Sequence, residues 1–297
     1  MTSQTTSAIS AGAALAAAGL LLATGPTAAA TETRSSRTFE QSFAPDGAPF
    51  EALVVDNVHG SIDVRGHDRD TVEMTVTETV IARTERAAER AREEVRLDAR
   101  AADGVVDLFV DGPFRDRRDR DRWSDHRDPG YRVVYDFELH VPRRLDLDLS
   151  TITEGDVDVA GVEGAFRLRN VNGTVRLIDA AGSGTLNTVN GGIVATFVAA
   201  PHAAIDAHTI NGDIELAFPP DLSADVQFKS MNGEMRVAAR ERGGWELTPV
   251  APELRVEDRR DGMRYRVDRW STWRIGDGGP TLRLETLNGD VILTAAD

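Results

Sequence analysis

The 297-residue sequence predicts an all-β fold: a β-solenoid or β-helix-like stack of 18–21-residue coils, with one helix and extra strands in the N-terminal part. Three observations lead to this prediction. A short Asn-Gly motif recurs along the second half of the chain, glycines are evenly spaced around it, and apolar and polar residues alternate beside each glycine. A hydrophobic content of 41% with 28% charged residues is typical of a folded protein.

Residues 1–30 predict a secretory signal peptide. They carry no charge, and an apolar run from Ile9 to Thr24 is followed by Pro26 and by small residues at 27–30. The run is shorter than the roughly 20 residues that a membrane-spanning helix needs, although a retained N-terminal anchor is the alternative. We therefore expect an extracytoplasmic mature chain, periplasmic, cell-surface or secreted, that does not span the membrane.

Residues 31–150 predict a β-rich N-terminal segment with one helix. The helix is expected from about Thr84 to Val95, where Ala87, Ala88 and Ala91 have helical spacing. Strands are expected near 52–58, 61–64, 71–80, 105–110 and 131–141. The loop at 112–130 is dense in arginine and aspartate, which cannot all be desolvated together, so we expect it to project from the fold.

Residues 151–297 contain the repeat. Asn-Gly occurs five times here, at Asn172-Gly173, Asn190-Gly191, Asn211-Gly212, Asn232-Gly233 and Asn288-Gly289. Glycines at 155, 164, 173, 182 and 191 are nine residues apart, and the period then lengthens to 21 at Gly212 and Gly233. Nine residues suit one short strand and a bend, so two strands would make one coil.

The residues around each glycine predict which side chains face inward. Positions two before, two after and four after the glycine are apolar and would share one face of a strand, while Asp213 and Glu215 would face out. The inward set is Val171, Val175, Leu177, Ile210, Ile214, Leu216, Met231, Met235 and Val237. We assign the glycine to a bend that needs φ > 0. A two-residue hairpin turn is the alternative at each Asn-Gly, but the near-constant spacing favours stacked coils.

The apolar N-terminus, the repeated T-[VIL]-N-G-[DEGT]-[VIM] strands and the closing segment 275–291 resemble the bacterial putative-adhesin domains of unknown function. The resemblance covers about residues 45–297 and implies an exported protein built from β-strand repeats. The copy at Glu154-Gly155 lacks the asparagine, and the arginine-rich insertion also departs from the pattern. The family has no established catalytic residues, so none is transferred to this chain.

Carboxylates on the outward positions are the candidates for catalysis, because some parallel β-helices are polysaccharide lyases or hydrolases. If coils stack in sequence order, Asp213 should lie beside Glu234 and Glu215 beside Arg236, while Asp158 should lie beside Arg176. We interpret these residues as a solvated face with ordinary cross-strand ion pairs.

Other chemistry has little support. The chain has no cysteine, which excludes thiol catalysis and Cys-ligated metals, and a net charge of −15 argues against nucleic-acid binding. We interpret His202 and His208 as surface residues rather than as metal ligands. Weak divalent-cation binding at Asp213 and Glu234 is the remaining alternative. We predict no catalytic, cofactor-binding or metal-binding residue and no cofactor.

A second insertion, 238–279, holds Trp245, Tyr265, Trp270 and Trp273. These aromatic residues could cover the open end of the stack or form a sugar-stacking platform, and we favour the cap because every solenoid needs one.

The sequence thus predicts a non-enzymatic, exported, adhesin-like or scaffold protein associated with the cell envelope or surface. Its partner would be an envelope component, a glycan or a protein. A carbohydrate-active parallel β-helix enzyme and a self-assembling envelope scaffold are the alternatives.

Overall fold

The computed structural model describes residues 32–116, 119–123, 129–238, 245–251, 254–259, 262–267 and 270–296. The predicted signal peptide at 1–30 lies outside these residues. So do the side chains at 116–128 and 252–269, which include that of Tyr265.

The described chain is predominantly β, with one helix, as predicted. The N-terminal elements are β1 Thr33–Phe43, β2 Ala52–Asp56, β3 Ile62–His67, β4 Val72–Ala82, α1 Glu85–Glu94, β5 Arg96–Ala102, β6 Val105–Asp111, β7 Arg115–Asp116, β8 Asp119–Trp123 and β9 Tyr131–Pro142. The first repeat strands are β10 Asp146–Ser150, β11 Val157–Ala160, β12 Phe166–Arg169, β13 Val175–Ala180, β14 Gly184–Asn187, β15 Ile193–Phe197, β16 Ile205–His208 and β17 Ile214–Phe218. The last are β18 Ala224–Asn232, β19 Met235–Ala238, β20 Leu247–Val250, β21 Leu254–Arg259, β22 Gly262–Val267, β23 Ser271–Ile275, β24 Thr281–Asn288 and β25 Val291–Ala295.

Two large mixed sheets contain most of these strands. The ten-stranded sheet has the order β1-β4-β9-β3-β11-β13-β15-β17-β25-β19. The eleven-stranded sheet has the order β20-β23-β18-β24-β16-β14-β12-β10-β2-β6-β5. Two further strand pairs, β7 with β8 and β21 with β22, form small separate sheets.

The two strands on either side of a motif glycine (Gly60, Gly155, Gly173, Gly191, Gly212, Gly233 or Gly289) belong to different sheets. We call each such pair a rung; in spatial order the rungs are β2–β3, β10–β11, β12–β13, β14–β15, β16–β17, β24–β25 and β18–β19. Neighbouring rungs pair in parallel and in register in both sheets, as in Ile193 opposite Ile214. The two strands of a rung are not paired with each other, so these Asn-Gly bends are not hairpin turns.

The rung β24–β25 lies out of sequence order. It pairs with β16–β17 on one side and with β18–β19 on the other, although β18–β19 comes first in the chain. The expectation that Asp213 lies beside Glu234 is therefore wrong, because Asp290 stands between them, opposite both residues. Glu215 likewise faces Ile292 rather than Arg236. The sequence period cannot reveal this order, since the insertion 238–279 lets the last repeat return between two earlier ones.

The core lies between the two sheets. Val175, Leu177, Ile214 and Leu216 are 0–1% exposed, which confirms their inward assignment. The residue two before the glycine is not part of the buried core, since Val171 and Ile210 are only partly buried and Met231 is 74% exposed. That part of the prediction is wrong.

The residue three before the glycine is buried instead, and it is usually a threonine. Thr209 is fully buried, and its hydroxyl donates to the carbonyl oxygen of Gly191 on the neighbouring rung at 2.9 Å. Thr188 and Thr286 make the same bond, to Gly173 at 2.8 Å and to Gly212 at 3.1 Å. A hydroxyl can enter this interior because its hydrogen bond offsets the cost of desolvation.

Close approach between rungs explains most of the bend glycines. A Cβ atom added at Gly191 would lie 2.1 Å from the carbonyl oxygen of Gly173. Gly173, Gly191 and Gly233 are not among the residues with positive φ, so the expected left-handed bend is wrong at these positions. Glycine is needed there because any side chain would collide with the backbone of the next rung.

The N-terminal elements extend and cover one end of the stack. α1 begins after Thr84, whose hydroxyl accepts a hydrogen bond from the Ala87 amide at 3.2 Å. Its buried face, formed by Ala87, Ala88 and Ala91, packs near β4 and β9. The helix and the strands β2, β3, β4, β6 and β9 lie where they were predicted. The strands β1 and β5 were missed because they are largely exposed edge strands without apolar alternation.

The charged loop is attached to the sheet at its first arginine. Arg115 is 7% exposed and donates to both carboxylate oxygens of Asp56, at 2.8 and 3.0 Å. Its guanidinium carbon lies 4.6 Å from the centre of the Phe109 ring. The expectation that the whole segment avoids burial is wrong for Arg115, because a bidentate partner compensates its charge.

At the opposite end, the second insertion extends only the eleven-stranded sheet. β23 pairs antiparallel with β18, and β20 pairs with β23, so the eleven-stranded sheet continues past the last rung. Trp245, Leu247 and Trp273 are partly buried and pack against the core there. In the ten-stranded sheet, no described strand pairs with the outer edge of β19. None of the described residues forms a helix that is both long enough and apolar enough to cross a membrane.

Candidate binding surface

The asparagines of the five Asn-Gly bends form a continuous hydrogen-bonded ladder. Four of the five side-chain amides donate from Nδ2 to Oδ1 of the asparagine on the preceding rung, and Asn172 at the start of the row only accepts. These bonds are Asn190 to Asn172 at 2.9 Å, Asn211 to Asn190 at 2.8 Å, Asn288 to Asn211 at 2.7 Å and Asn232 to Asn288 at 2.8 Å.

The backbone holds these side chains in line. Parallel bridges continue through the bends, from Asn172 to Asn190 to Asn211 to Asn288. Within this ladder the Asn211 amide donates to the Val189 carbonyl at 2.9 Å, and the Gly191 amide donates to the Asn211 carbonyl at 3.0 Å. Adjacent strands are about 4.8 Å apart, so one carboxamide is presented at each step.

A row of apolar side chains runs beside the ladder, one residue before each asparagine. Val171, Val189 and Ile210 are partly buried, and exposure then rises to 38% at Leu287 and 74% at Met231. We call the two rows together the asparagine edge. Its members are Val171, Asn172, Val189, Asn190, Ile210, Asn211, Leu287, Asn288, Met231 and Asn232.

Each ladder amide keeps capacity for another partner. A carboxamide has two N–H donors and an oxygen with two lone pairs. Inside the ladder one donor and one lone pair of each amide are used, and all five asparagines are exposed. The surface therefore offers a donor and an acceptor at each step, together with an apolar contact.

The ladder position is occupied differently on the first two rungs. His59 and Thr153 take the place of the asparagine, and the His59 Nδ1 atom is hydrogen-bonded to the Thr153 hydroxyl. Burial lowers the pKa of His59, an effect that nearby Glu154 opposes. The regular edge thus begins at Asn172.

The candidate catalytic carboxylates are engaged with the backbone. Asp213 Oδ1 accepts from the Asp290 amide at 2.8 Å, and Asp290 Oδ1 accepts from the Glu234 amide at 3.0 Å. Asp290 also forms an ion pair with Arg236 at 2.7 Å. Asp213 and Asp290 therefore bind the next rung, and the structure does not bring Asp213 and Glu234 together.

The predicted neighbours Asp158 and Arg176 do form an ion pair, at 3.0 Å. Arg176 also contacts Asp156 at 2.9 Å, and hydrogen bonds to Asp158 and Asp156 raise the pKa of the guanidinium. Asp156 additionally accepts from the Thr174 amide at 2.7 Å. These groups are typical of cross-strand support on a solvated sheet.

The histidine and aromatic candidates are distributed over the surface and the cap. His202 is exposed before β16, whereas His208 lies at the end of β16 opposite Glu285. Among the described residues, no group of three His, Cys, Asp or Glu side chains is arranged to hold a metal ion. The Trp270 ring lies 5.4 Å from the Lys229 ammonium and 5.6 Å from the Arg283 guanidinium, while Trp273 packs against the core.

A buried polar cluster in the N-terminal part had no clear signal in the sequence. Glu78 is 3% exposed and accepts two hydrogen bonds from Arg37, both at 2.8 Å, and one from the Tyr135 hydroxyl at 2.9 Å. Burial and the Glu78 charge raise the pKa of Tyr135. The cluster ties the edge strand β1 to β4 and β9, which is a structural role.

The ladder itself was also missed. The available signal was the recurrence of asparagine at the same position in five copies of the motif. Equal positions on parallel, in-register rungs must stack, and asparagine is one of the side chains whose stacked copies bond to one another.

Comparisons with known proteins give a likeness only among solved structures. No family model matches the chain, and no curated protein matches it. The chain is similar to a putative cell adhesion protein from Clostridium sporogenes, with 9% identity over 88% of this chain and 100% of that one and a TM-score of 0.43. It is also similar to a putative adhesin from Bacteroides fragilis, with 10% identity over 88% and 97% of the two chains and a TM-score of 0.35. The resemblance to putative adhesins is thus found again among proteins that carry this name.

Proposed function

We propose that the mature chain is an exported, non-enzymatic binding module of adhesin type that attaches to its partner through the asparagine edge. The observation that carries the proposal is the straight row of five exposed, mutually bonded carboxamides beside five apolar side chains. A surface that repeats the same contact can bind an extended partner at several points, and several weak contacts add to a strong attachment.

The proposal includes a short β-solenoid as the scaffold. Its support is that the rungs have the same order in both sheets and pair in parallel in each. A rung then corresponds to one coil, and the stack holds the ladder straight. The proposal also keeps the division into a signal peptide at 1–30, an N-terminal segment at 31–150 and a repeat segment at 151–297.

Two observations favour this function over the alternatives. The outward carboxylates Asp213 and Asp290 bind backbone amides of the adjacent rung, whereas a catalytic pair would have to face a substrate. End-to-end assembly is disfavoured at the far end, where β20 and β23 extend the eleven-stranded sheet past the last rung. We therefore assign no catalytic, cofactor-binding or metal-binding residue.

A sedimentation assay with isolated bacterial cell-envelope material tests the proposal. The full chain is expressed in a bacterial host and recovered from the exported fraction, where N-terminal sequencing should show a start close to residue 31. The parent protein should sediment with the envelope material, and Val189→Lys should weaken this binding at least tenfold, because it places a charge in the apolar row.

Val194→Lys is the matched control. Val194 is also partly buried, but it lies on β15, opposite Arg176 and Glu215 and away from the asparagine edge. This variant should sediment like the parent. Equal binding by the parent and Val189→Lys would refute the edge as the contact surface, and cleavage of a polysaccharide by the parent would refute the non-enzymatic assignment.

A further inference from the structure

We infer that the partner of the asparagine edge is a neutral, linear polysaccharide whose chain lies along the row of rungs. The inference rests on the proposed function and adds the chemical class of the partner. It follows from three properties of the edge. Its backbone N–H and C=O groups are already hydrogen-bonded between rungs, its side chains offer repeating neutral donors and acceptors, and negative charge lies beside it.

Because the backbone groups of the edge are already hydrogen-bonded, a polypeptide strand is a poor candidate for the partner. A peptide that adds to a sheet needs free backbone N–H and C=O groups. At the edge these groups already bond from rung to rung, as in Asn211 to Val189 at 2.9 Å and Asn288 to Ile210 at 2.9 Å. What remains available is side-chain chemistry, and that chemistry is nearly identical at each step.

A repeating surface fits a repeating partner. A polypeptide presents a different side chain at each position, whereas a linear polysaccharide presents the same hydroxyl groups and the same C–H ring faces along its length. Hydroxyls are both donors and acceptors, which matches the donor and acceptor that each ladder amide leaves available. The C–H faces match the apolar row, whose most exposed members are Leu287 and Met231.

The charge around the edge selects a neutral glycan over a polyanion. Asp213, Asp290 and Glu234 follow the bend glycines on three adjacent rungs, directly beside the ladder. The chain as a whole carries a net charge of −15. The ten residues of the edge include no cation, and Arg236 beside the edge is already paired with Asp290, so a polyanion would meet net repulsion from Asp213 and Glu234.

Each rung contributes little, so the number of rungs occupied should control affinity. Once one sugar unit is bound, the next is held at high effective concentration beside the next rung. We therefore expect polymers to bind far more tightly than one- or two-unit fragments of the same glycan, by at least a hundredfold. A compact pocket for a single sugar would show no such dependence on length.

The test is a sedimentation assay of the exported full chain with insoluble cellulose, chitin and a cross-linked polygalacturonate gel, at low and high salt. We expect retention on at least one of the two neutral glycans, with less than a twofold change between the salt conditions. We expect no retention on the polyanionic gel. Retention on polygalacturonate that disappears at high salt would overturn the inference.

Asn211→Asp removes two donors from the middle of the ladder with almost no change in shape, and it should lower retention on the neutral glycan at least tenfold. The matched control is Asn187→Asp, because Asn187 lies on β14 in the eleven-stranded sheet, outside the edge. The control should change retention less than twofold. If Asn211→Asp does not fold, Ile210→Lys at the same rung provides the measurement.

The outcomes separate this inference from the proposed function. If Val189→Lys loses envelope binding but neither neutral glycan retains the parent, the edge is a binding surface and the glycan inference is wrong. If Asn211→Asp and Asn187→Asp are retained alike, the inference is also wrong. If Val189→Lys keeps envelope binding, the proposed function itself fails.

Discussion

The interior rungs and the two terminal rungs are built from related sequences but are stabilised differently. On interior rungs the inward residues of the ten-stranded sheet, such as Ile214 and Val291, are fully buried. On the last rung in space, β18–β19, the equivalent Met235 and Val237 are only partly buried. One motif therefore contributes different amounts of stability, because full burial requires a neighbouring strand on both sides, which β19 lacks among the described residues.

The bends show the same contrast. The Thr209 hydroxyl is bonded to the neighbouring rung, whereas the equivalent Ser230 Oγ makes no hydrogen bond to the described residues. On the first rung, His59 replaces the ladder asparagine. Position in the stack, and not position in the sequence, decides which copy is terminal: β24–β25 comes last in the chain but lies in the interior.

The largest difference in unfolding free energy between an interior and a terminal rung is expected for a charge placed in the core. Ile214→Asp buries an unpaired carboxylate at a fully buried position and should lower the free energy of unfolding by about 3 kcal/mol or more. Met235→Asp, at the equivalent position of the terminal rung, should cost about 1 kcal/mol, because water reaches it. Urea denaturation followed by circular dichroism measures both, and equal losses would contradict the contrast.

A methyl group at a bend tests the close approach of the rungs. Gly191→Ala should lower the free energy of unfolding by about 2 kcal/mol, because its Cβ would lie 2.1 Å from the Gly173 carbonyl oxygen. The adjacent Gly192→Ala is the control, since its Cβ would lie 3.4 Å from the Asp213 carbonyl oxygen, an ordinary contact distance. Neither glycine has a positive φ, so the difference is steric. Similar melting curves for the two variants would argue against this explanation.

Removal of a bend hydroxyl should have a smaller effect. Thr209→Val keeps the shape of the side chain but loses the bond to the Gly191 carbonyl, which we expect to cost about 1–2 kcal/mol of unfolding free energy. Ser230→Ala on the terminal rung should change the unfolding free energy by less than about 0.5 kcal/mol, since Ser230 Oγ makes no hydrogen bond to the described residues. Thermal and urea denaturation provide the comparison, and a larger loss at Ser230 would reverse it.

The smallest effect concerns the first rung and depends on pH. Burial holds the pKa of His59 below its ordinary value, so the unfolded chain binds this proton more readily than the folded one. The contribution of His59 to stability is therefore intact above about pH 6.5 and decreases as the pH falls towards the lowered folded-state pKa.

His59→Asn inserts the residue that other rungs carry and removes this titration. Between pH 7.5 and pH 5 the variant should lose less unfolding free energy than the parent, by a fraction of a kcal/mol, on the order of 0.5. The readout is the difference between the two proteins, because many carboxylates also titrate. Identical pH dependence of the two proteins would show that His59 makes no contribution of this kind.

The sequence by itself determined the local properties of this protein. Period-two alternation identified Val175, Leu177, Ile214 and Leu216 as inward residues, because a strand turns successive side chains to opposite faces. Glycine spacing located the bends, and helical spacing located α1. The composition of β1 and β5 gave no signal, because a strand exposed on both faces needs no apolar pattern.

Only the tertiary structure decided which rungs are neighbours. The placement of β24–β25 between β16–β17 and β18–β19 separates Asp213 from Glu234 and completes the asparagine ladder. Strand order depends on pairing between residues that are far apart in the chain, and a long insertion such as 238–279 allows more than one order. Local patterns record which face of a strand is buried, but they contain no information about which strand lies next to it.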